Sequence, residues 1–195
     1  VLTGVGTQTM LEDTSVNITL NATDIESDSL TYSLTSASAQ LNASISGAVL
    51  TLTPAANYNG SGSVTVQVAD ASLSDSETFS VTVQNSNDAP SISAISDVEF
   101  DYDSSTTITL SGNDIDGDSL TYSAVSADIG IVTTSVSGNQ LTLTSATNAI
   151  ASTSITVTVD DGNATANTTF SVDLTDPTTV DPITLTIAGS SISDG

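Results

Sequence analysis

The chain has 195 residues, 23 of them Asp or Glu, and no Lys, Arg or His, so its formal charge of −23 has no side-chain cation to offset it. That excludes side-chain salt bridges within the chain, and it excludes nucleic acid and anionic membrane surfaces as direct partners, because phosphate contacts need Arg or Lys. The absence of Cys removes disulfide and thiol chemistry, and without His as well zinc is left without its usual ligands.

Taken in order, residues 1–9 read as a weak first strand, apolar at Leu2 and Val5 and interrupted by Gly4 and Gly6. Val16, Ile18 and Leu20 then alternate with Asn17, Thr19 and Asn21, the period of a strand with one buried face. An acidic loop follows, Thr23-Asp24-Ile25-Glu26-Ser27-Asp28, and alternation resumes at Leu30, Tyr32 and Leu34. Further strands are expected over 41–46 and 49–53, with a turn-rich loop over 54–62 containing Asn57-Tyr58-Asn59-Gly60. Val64, Val66 and Val68 lead to Asp70, and Phe79, Val81 and Val83 close the unit. Asn87-Asp88-Ala89-Pro90 is a linker, because Pro90 blocks continuous strand pairing.

The same order then repeats. Ile92 and Ile95 lie on a first strand, Phe100 and Asp103 stand where Met10 and Asp13 stood, and Ile108 and Leu110 precede a second acidic loop, Asn113-Asp114-Ile115-Asp116-Gly117-Asp118. Leu120, Tyr122 and Ala124 follow, then strands over 131–136 and 141–143. Ile155, Val157 and Val159 run into Asp160-Asp161-Gly162, and Phe170, Val172 and Leu174 close the second unit. The tail holds Thr175-Asp176-Pro177 and Asp181-Pro182, then Ile183-Thr184-Leu185-Thr186-Ile187, which alternates as an extra strand.

Both acidic loops are preceded by Ile-Thr-Leu, at 18–20 and 108–110, and followed by Ser-Leu-Thr-Tyr-Ser, at 29–33 and 119–123. Such an internal repeat decides the architecture. No window has a helical period, and seven short strands per unit imply an all-β chain: two tandem immunoglobulin/cadherin-like seven-stranded β-sandwiches. The first is expected over 1–86, the linker over 87–90 and the second over 91–175; residues 176–195 form a second linker and a C-terminal strand, for which three readings stand open: donation to a neighbouring copy, fold-back on its own second domain, or the start of a truncated third repeat. There is no apolar run long enough to span a membrane as a helix. There is no basic-plus-apolar leader either, so a secretion signal is expected to have been removed or to lie outside this sequence. Without Lys or Arg, trypsin-like proteases have no cleavage site.

Alternate residues of an extended segment point the same way, so Asp114, Asp116 and Asp118 should converge, as should Asp24, Glu26 and Asp28 in the first loop. Their repulsion calls for a cation that the chain does not supply. Closely spaced carboxylates in a turn suit a hard divalent ion, calcium first. The EF-hand pattern fails: counting from Asp114, the positions that need Gly and Glu hold Ser119 and Val125. The alternative is an ordinary solvated Asp/Gly turn. Catalysis has no candidate, since there is no His, Cys or Lys, and these carboxylates sit in loops rather than across a sugar-sized cleft. Tyr32, Tyr122, Phe79 and Phe170 fall on core faces, whereas Tyr58 and Tyr102 read as exposed. The Asn-x-Ser/Thr sequons, at Asn17 and Asn163 for example, imply nothing firm in so Asn- and Thr-rich a chain.

Several of these segments together carry a family resemblance: Leu11-Glu12-Asp13-Thr14, the acidic loops with their Leu-Thr-Tyr-Ser tails, Tyr58-Asn59-Gly60, the linker at 87–90, and the strand endings at Asp70 and Asp161. The pattern resembles the cadherin-like (Ig-like) tandem repeats of bacterial surface adhesins and large secreted proteins, over residues 1 to about 182. The resemblance implies extracellular stalks, adhesion and calcium at domain junctions. In such a stack the linker enters a domain beside its acidic loop, which implies that Asn87 and Asp88 lie near Asp114, Asp116 and Asp161, with Glu12 from the preceding unit within reach. It adds Asp13, Asp70, Asp103 and Asp160 as candidate ligands, and a donated tail would add Asp176 and Asp181. Two departures weaken it locally: Tyr102 replaces Glu12 in the second unit, and Glu26-Ser27 replaces Asp116-Gly117 in the first. The expected function is a calcium-stabilised extracellular module, a subunit or repeat of a bacterial surface or biofilm-matrix fibre joined head to tail with copies of itself. The alternatives are an adhesin domain that binds a carbohydrate or protein ligand, and an accessory domain of a secreted enzyme.

Overall fold

Thr, Val and Ile at alternate positions favour extended backbone, and their apolar members are the ones that end inside. A computed structural model describes residues 1–178, nearly all of them β-strand and connecting turn. The expected C-terminal strand over 183–187 and the candidate ligand Asp181 lie outside the described residues. The chain divides into two units, Val1–Asn87 and the residues from Asp88 onward.

The first unit contains β1 (Gln8–Leu11), β2 (Val16–Thr19), β3 (Thr31–Ala37), β4 (Ser44–Ser46), β5 (Val49–Leu52), β6 (Gly60–Ala69) and β7 (Ser74–Gln84). One sheet has the order β1-β7-β6-β3 and the other β2-β5-β4. β6 and β7 form the long central hairpin, with Val64 opposite Phe79 and Gly62 opposite Val81. Val64, Val66, Val68, Phe79, Val81 and Val83 all turn inward and pack in one core with Leu50 and Leu52 of the facing sheet and with Leu20 and Leu41 from the adjoining connections. Thr65 and Thr78 pair on the outer face through their hydroxyls, 2.9 Å apart. β1 runs parallel to β7, with Gln8 opposite Val81 and Leu11 opposite Gln84.

The second unit repeats the plan with β8 (Ser91–Ile92), β9 (Val98–Asp101), β10 (Ser105–Thr109), β11 (Gly112–Asn113), β12 (Thr121–Ser126), β13 (Val132–Ser137), β14 (Gln140–Ser145), β15 (Ala151–Asp160) and β16 (Thr165–Thr175). Its main sheets are β12-β15-β16-β9 and β10-β14-β13, and β8 pairs with β11. Val132, Leu141, Leu143, Ile155, Val157, Phe170 and Val172 fill its core.

Three local expectations are corrected. The strand expected over 41–46 begins only at Ser44; Ala39–Leu41 is a 3-10 turn that drives Leu41 fully into the core, and Asn42 leaves it in the left-handed region. The first strand expected over 1–9 is split. Leu2 makes an isolated antiparallel bridge to Ala22, and Gly6, at φ +67°, turns the chain before β1 begins and pairs with β7. Tyr58 and Tyr102 are not exposed: each ring packs against its unit's core, with the Tyr58 hydroxyl donating to the Ser61 carbonyl and the Tyr102 hydroxyl to Asp176.

Candidate cation site

β11 ends at Asn113 and the chain turns through the second acidic loop. Asp114 organises that turn: its Oδ1 accepts the backbone N–H groups of Asp116 at 2.9 Å and Asp118 at 3.1 Å. Gly117, at φ +81°, provides the left-handed residue that brings the third carboxylate back towards the first. The result is a group of carboxylate oxygens, one each from Asp114, Asp116 and Asp118, all within 4.8 Å of one another. Asp114 Oδ2 is buried and accepts no hydrogen bond. A buried carboxylate oxygen without a donor is costly unless a cation meets it, and the chain has no side-chain cation to offer. Asp116 Oδ2 accepts the N–H of Asp88 at 2.7 Å, so the entering chain is fastened to the same loop, and Pro90 behind it is buried.

The first unit's loop is built the same way but more loosely. Asp24 Oδ1 accepts the Asp28 N–H at 3.0 Å. Ser27 stands at φ +64° where the second loop has glycine, a conformation that costs a side-chain residue more. Glu26 and Asp28 are exposed, whereas Asp116 is half-buried. The structure does bring Asp24 to Asp70. The N–H groups of Leu73 and Ser72, with the Asp24 carboxyl as a smaller contributor, hold the Asp70 carboxyl below the ordinary carboxylate range.

Other candidates serve turns. Asp161 Oδ1 accepts the N–H groups of Asn163 and Ala164, and Asp160 Oδ1 that of Gly162, which closes the β15–β16 connection. Asp13 and Asp103 occupy the left-handed region at the end of the first parallel strand in each unit, and Asp13 Oδ1 accepts the Asn57 N–H. Asn87 is the last residue of the first unit.

Glu12 and its counterpart Tyr102 part company. Each donates its backbone N–H to the end of the neighbouring strand, Glu12 to Gln84 and Tyr102 to Thr175, both at 3.0 Å. Glu12 is 1% exposed; its Oε1 accepts the Ser86 N–H at 2.8 Å, and its Oε2 is buried without a donor. Tyr102 instead donates to Asp176 Oδ1 at 3.0 Å, which raises the phenol's pKa. Asp176 also accepts the hydroxyl and N–H of Thr178, and these hold it below the ordinary range.

Two acids escaped the sequence reading. Asp75 and Glu77 lie on one face of β7 and accept the N–H groups of Leu2 and Val5, each at 2.9 Å. They stand in for ladder partners that the glycine-interrupted N-terminal segment lacks. Their signal was available, since two acids in alternation on a strand with no other charged residue mark one side of it. The second unit has Ala166 and Thr168 in the corresponding places and fastens Asp97 to the Ser171 N–H instead.

Comparison with known proteins adds the following. The model of the bacterial Ig domain family matches twice, over residues 1–83 and 87–175. No curated protein matches. Among solved structures, the first two cadherin domains of human protocadherin-24 are 16% identical, cover 88% of this chain and 96% of that one, and give a TM-score of 0.58. Cadherin domains 1–4 of protocadherin gamma B7 are 18% identical, with 89% of this chain and 49% of that one covered and a TM-score of 0.52. An endo-fucoidan hydrolase of glycoside hydrolase family 107 is 21% identical over 88% of this chain, at a TM-score of 0.35; the chain spans 27% of its length. The protocadherin likenesses show a shared cadherin-like fold.

Proposed function

From a chain that belongs to the bacterial Ig domain family in both of its units, we propose a calcium-stabilised structural module outside the cell, a subunit or repeat of a bacterial surface or matrix fibre that joins head to tail with copies of itself. The observation that carries the reading is the second acidic loop: three carboxylate oxygens within 4.8 Å, beside a buried Asp114 oxygen that has no donor, in a chain with no side-chain cation. The donor set is all oxygen, and irregular carboxylate sets suit calcium, which takes six to eight oxygens at about 2.3–2.6 Å. Asp114, Asp116 and Asp118 would hold the ion in the second unit, and Asp24 and Asp70 are the pair for a weaker site in the first. Binding to the folded state stabilises it by mass action. In the second unit it also tightens the loop to which the linker's Asp88 is hydrogen-bonded, which restricts how the chain enters that unit. Freedom from Lys and Arg suits a protein exposed to extracellular proteases.

Thermal melts of the chain in calcium and in excess chelator test this. The expected result is a melting temperature several degrees higher in calcium, with magnesium less effective. An identical melt in both solutions overturns the reading.

A further inference from the structure

Both units have a larger, four-stranded sheet, and the outer faces of the two differ. In the first unit that sheet is β1-β7-β6-β3. The only acids on its strands are Asp75 and Glu77, and both turn to the inner side, where they accept the N–H groups of Leu2 and Val5. Outward the sheet presents only Ser, Thr and Gln, with Ala69 and Leu11. Leu11, opposite Gln84, is 46% exposed. The matching face of the second unit is acidic. Glu99 and Asp173 stand directly opposite each other where the first unit has Thr9 and Thr82, and Asp101 stands where it has Leu11. Like charges so placed repel each other and keep that face in water. The first unit carries none of them, in a chain of net charge −23.

We propose that the outer face of β1-β7-β6-β3 is a contact surface for a second copy of the chain, which meets it through the same face. Charge selects the occupant. Copies with 23 acids and no side-chain cation repel wherever their acidic loops meet, and this is the broadest surface on which they can approach without setting carboxylates against one another. The three-stranded sheets are also free of acids, but they are narrower. The face loses little when water leaves it, because its polar groups already bond within the sheet. The Thr65 and Thr78 hydroxyls lie 2.9 Å apart, the Thr31 hydroxyl donates to the Ala69 carbonyl at 3.0 Å, and Gln67 Nε2 donates to the Ser74 hydroxyl at 3.3 Å. Two copies of one sheet have the same twist and pack face to face at about −30°. Four strands about 4.8 Å apart, the central two paired from Gly60 to Ala69, give a face of roughly 400–500 Å² on each copy. That is below the size of a standard interface, so single chains meet weakly and the contact gains by repetition along a fibre. Small neutral ligands are the other uncharged partners, but they are held in clefts lined by aromatic rings, and Tyr32, Tyr58 and Phe79 all turn to the core of this unit. Because one face serves both copies, the contact closes as a pair. It joins chains sideways, which goes beyond the head-to-tail joint and does not rest on calcium.

The test is sedimentation equilibrium of the full chain from micromolar to millimolar concentration, in calcium and in chelator, at low and at high salt. The parent is expected to show a monomer–dimer equilibrium in both solutions, strengthened by salt, which screens the acidic loops. An end-to-end joint made through calcium disappears in chelator; this contact does not. Leu11→Asp gives the first unit what the second already carries as Asp101, a substitution the fold accepts. It is expected to weaken the dimer roughly tenfold or more, because it takes an unpaired charge into the contact. Thr65→Asp, at the centre of the face, should do the same. Thr156→Asp, at the matching position of the second unit, is the control and leaves the dimer unchanged. Dextran, a neutral polysaccharide, should not compete; a dimer that it dissociates has the wrong occupant. A parent that stays monomeric at the highest concentration, a dimer that salt weakens, Leu11→Asp and Thr65→Asp variants that dimerise as the parent does, or a Thr156→Asp variant as defective as Thr65→Asp overturns the proposal.

Discussion

Asp114→Asn should change stability with opposite signs in chelator and in calcium. The substitution keeps an oxygen to accept the N–H groups of Asp116 and Asp118 and removes one charge. Two like charges with oxygens up to 4.8 Å apart repel by about 1 kcal/mol in a water-like dielectric, and by more where solvent is partly excluded. Losing Asp114's share of two such pairs therefore stabilises the ion-free form by about 1–2 kcal/mol at low salt. For a domain of this size each kcal/mol moves the midpoint by roughly 4–8 °C. In calcium the order reverses. At about a hundred times the dissociation constant the parent gains about 2.7 kcal/mol. A variant that binds a hundredfold more weakly forgoes nearly all of that, which exceeds what it gained. Differential scanning calorimetry at low salt, in chelator and in calcium, reads both signs on the transition of the second unit. If the variant is destabilised equally in both solutions, Asp114 is a turn-former and not a ligand.

Three further outcomes follow from the fold. Val157→Ala, in a fully buried site, should cost roughly 1–4 kcal/mol in chemical denaturation through lost burial and a cavity, while Thr65→Ala on the outer face should cost less than about 1.5 kcal/mol; equal costs would mean that the strand faces are misassigned. Gly112→Ala should destabilise the second unit by about 1–3 kcal/mol, because a Cβ there would sit 2.8 Å from the Tyr122 hydroxyl and 3.1 Å from the Ser91 carbonyl, and a neutral effect in melts would contradict the tight pairing of β8 with β11. Asp176 has a depressed folded pKa and Tyr102 a raised one. The Asp176 contribution is present above the unfolded carboxylate value and lost as pH falls through the lower folded value; the Tyr102 contribution is present below the unfolded phenol value and lost as pH rises through the higher folded one. Titrating phenol absorbance should therefore show Tyr102 ionising above the ordinary phenol range, and Asp176→Asn should lower that value.

The two sandwiches were legible because the alternation is regular and the repeat supplies every strand twice; Val64, Val66 and Val68 face inward for the same reason that Ile155, Val157 and Val159 do. The convergence of Asp114, Asp116 and Asp118 was legible from spacing plus Gly117. What was not legible turned on single backbone events. Leu41 sits in an apolar alternation, but a 3-10 turn places it, and nothing in the period distinguishes the two ways of burying one leucine. Tyr102 looked like a lost ligand at an exposed place, and its role became plain only when β9 and β16 brought it to Asp176, more than seventy residues away. Which of the remaining acids serve only a turn was out of reach, because Asp160 and Asp116 have the same chemistry in the sequence and only the fold gives Asp160 the Gly162 N–H while setting Asp116 beside two other carboxylates.

The parallel pairing of β1 with β7, and of β9 with β16, determines how each unit meets a pulling force. The first strand enters from the same end at which the last one begins, and the last one leaves from the end at which the first one stops. Tension applied through the chain therefore drags the two strands in opposite directions along their length. Every backbone bond between them is loaded at once, rather than being opened one after another as in the peeling of a hairpin. A unit made in this way yields late and abruptly.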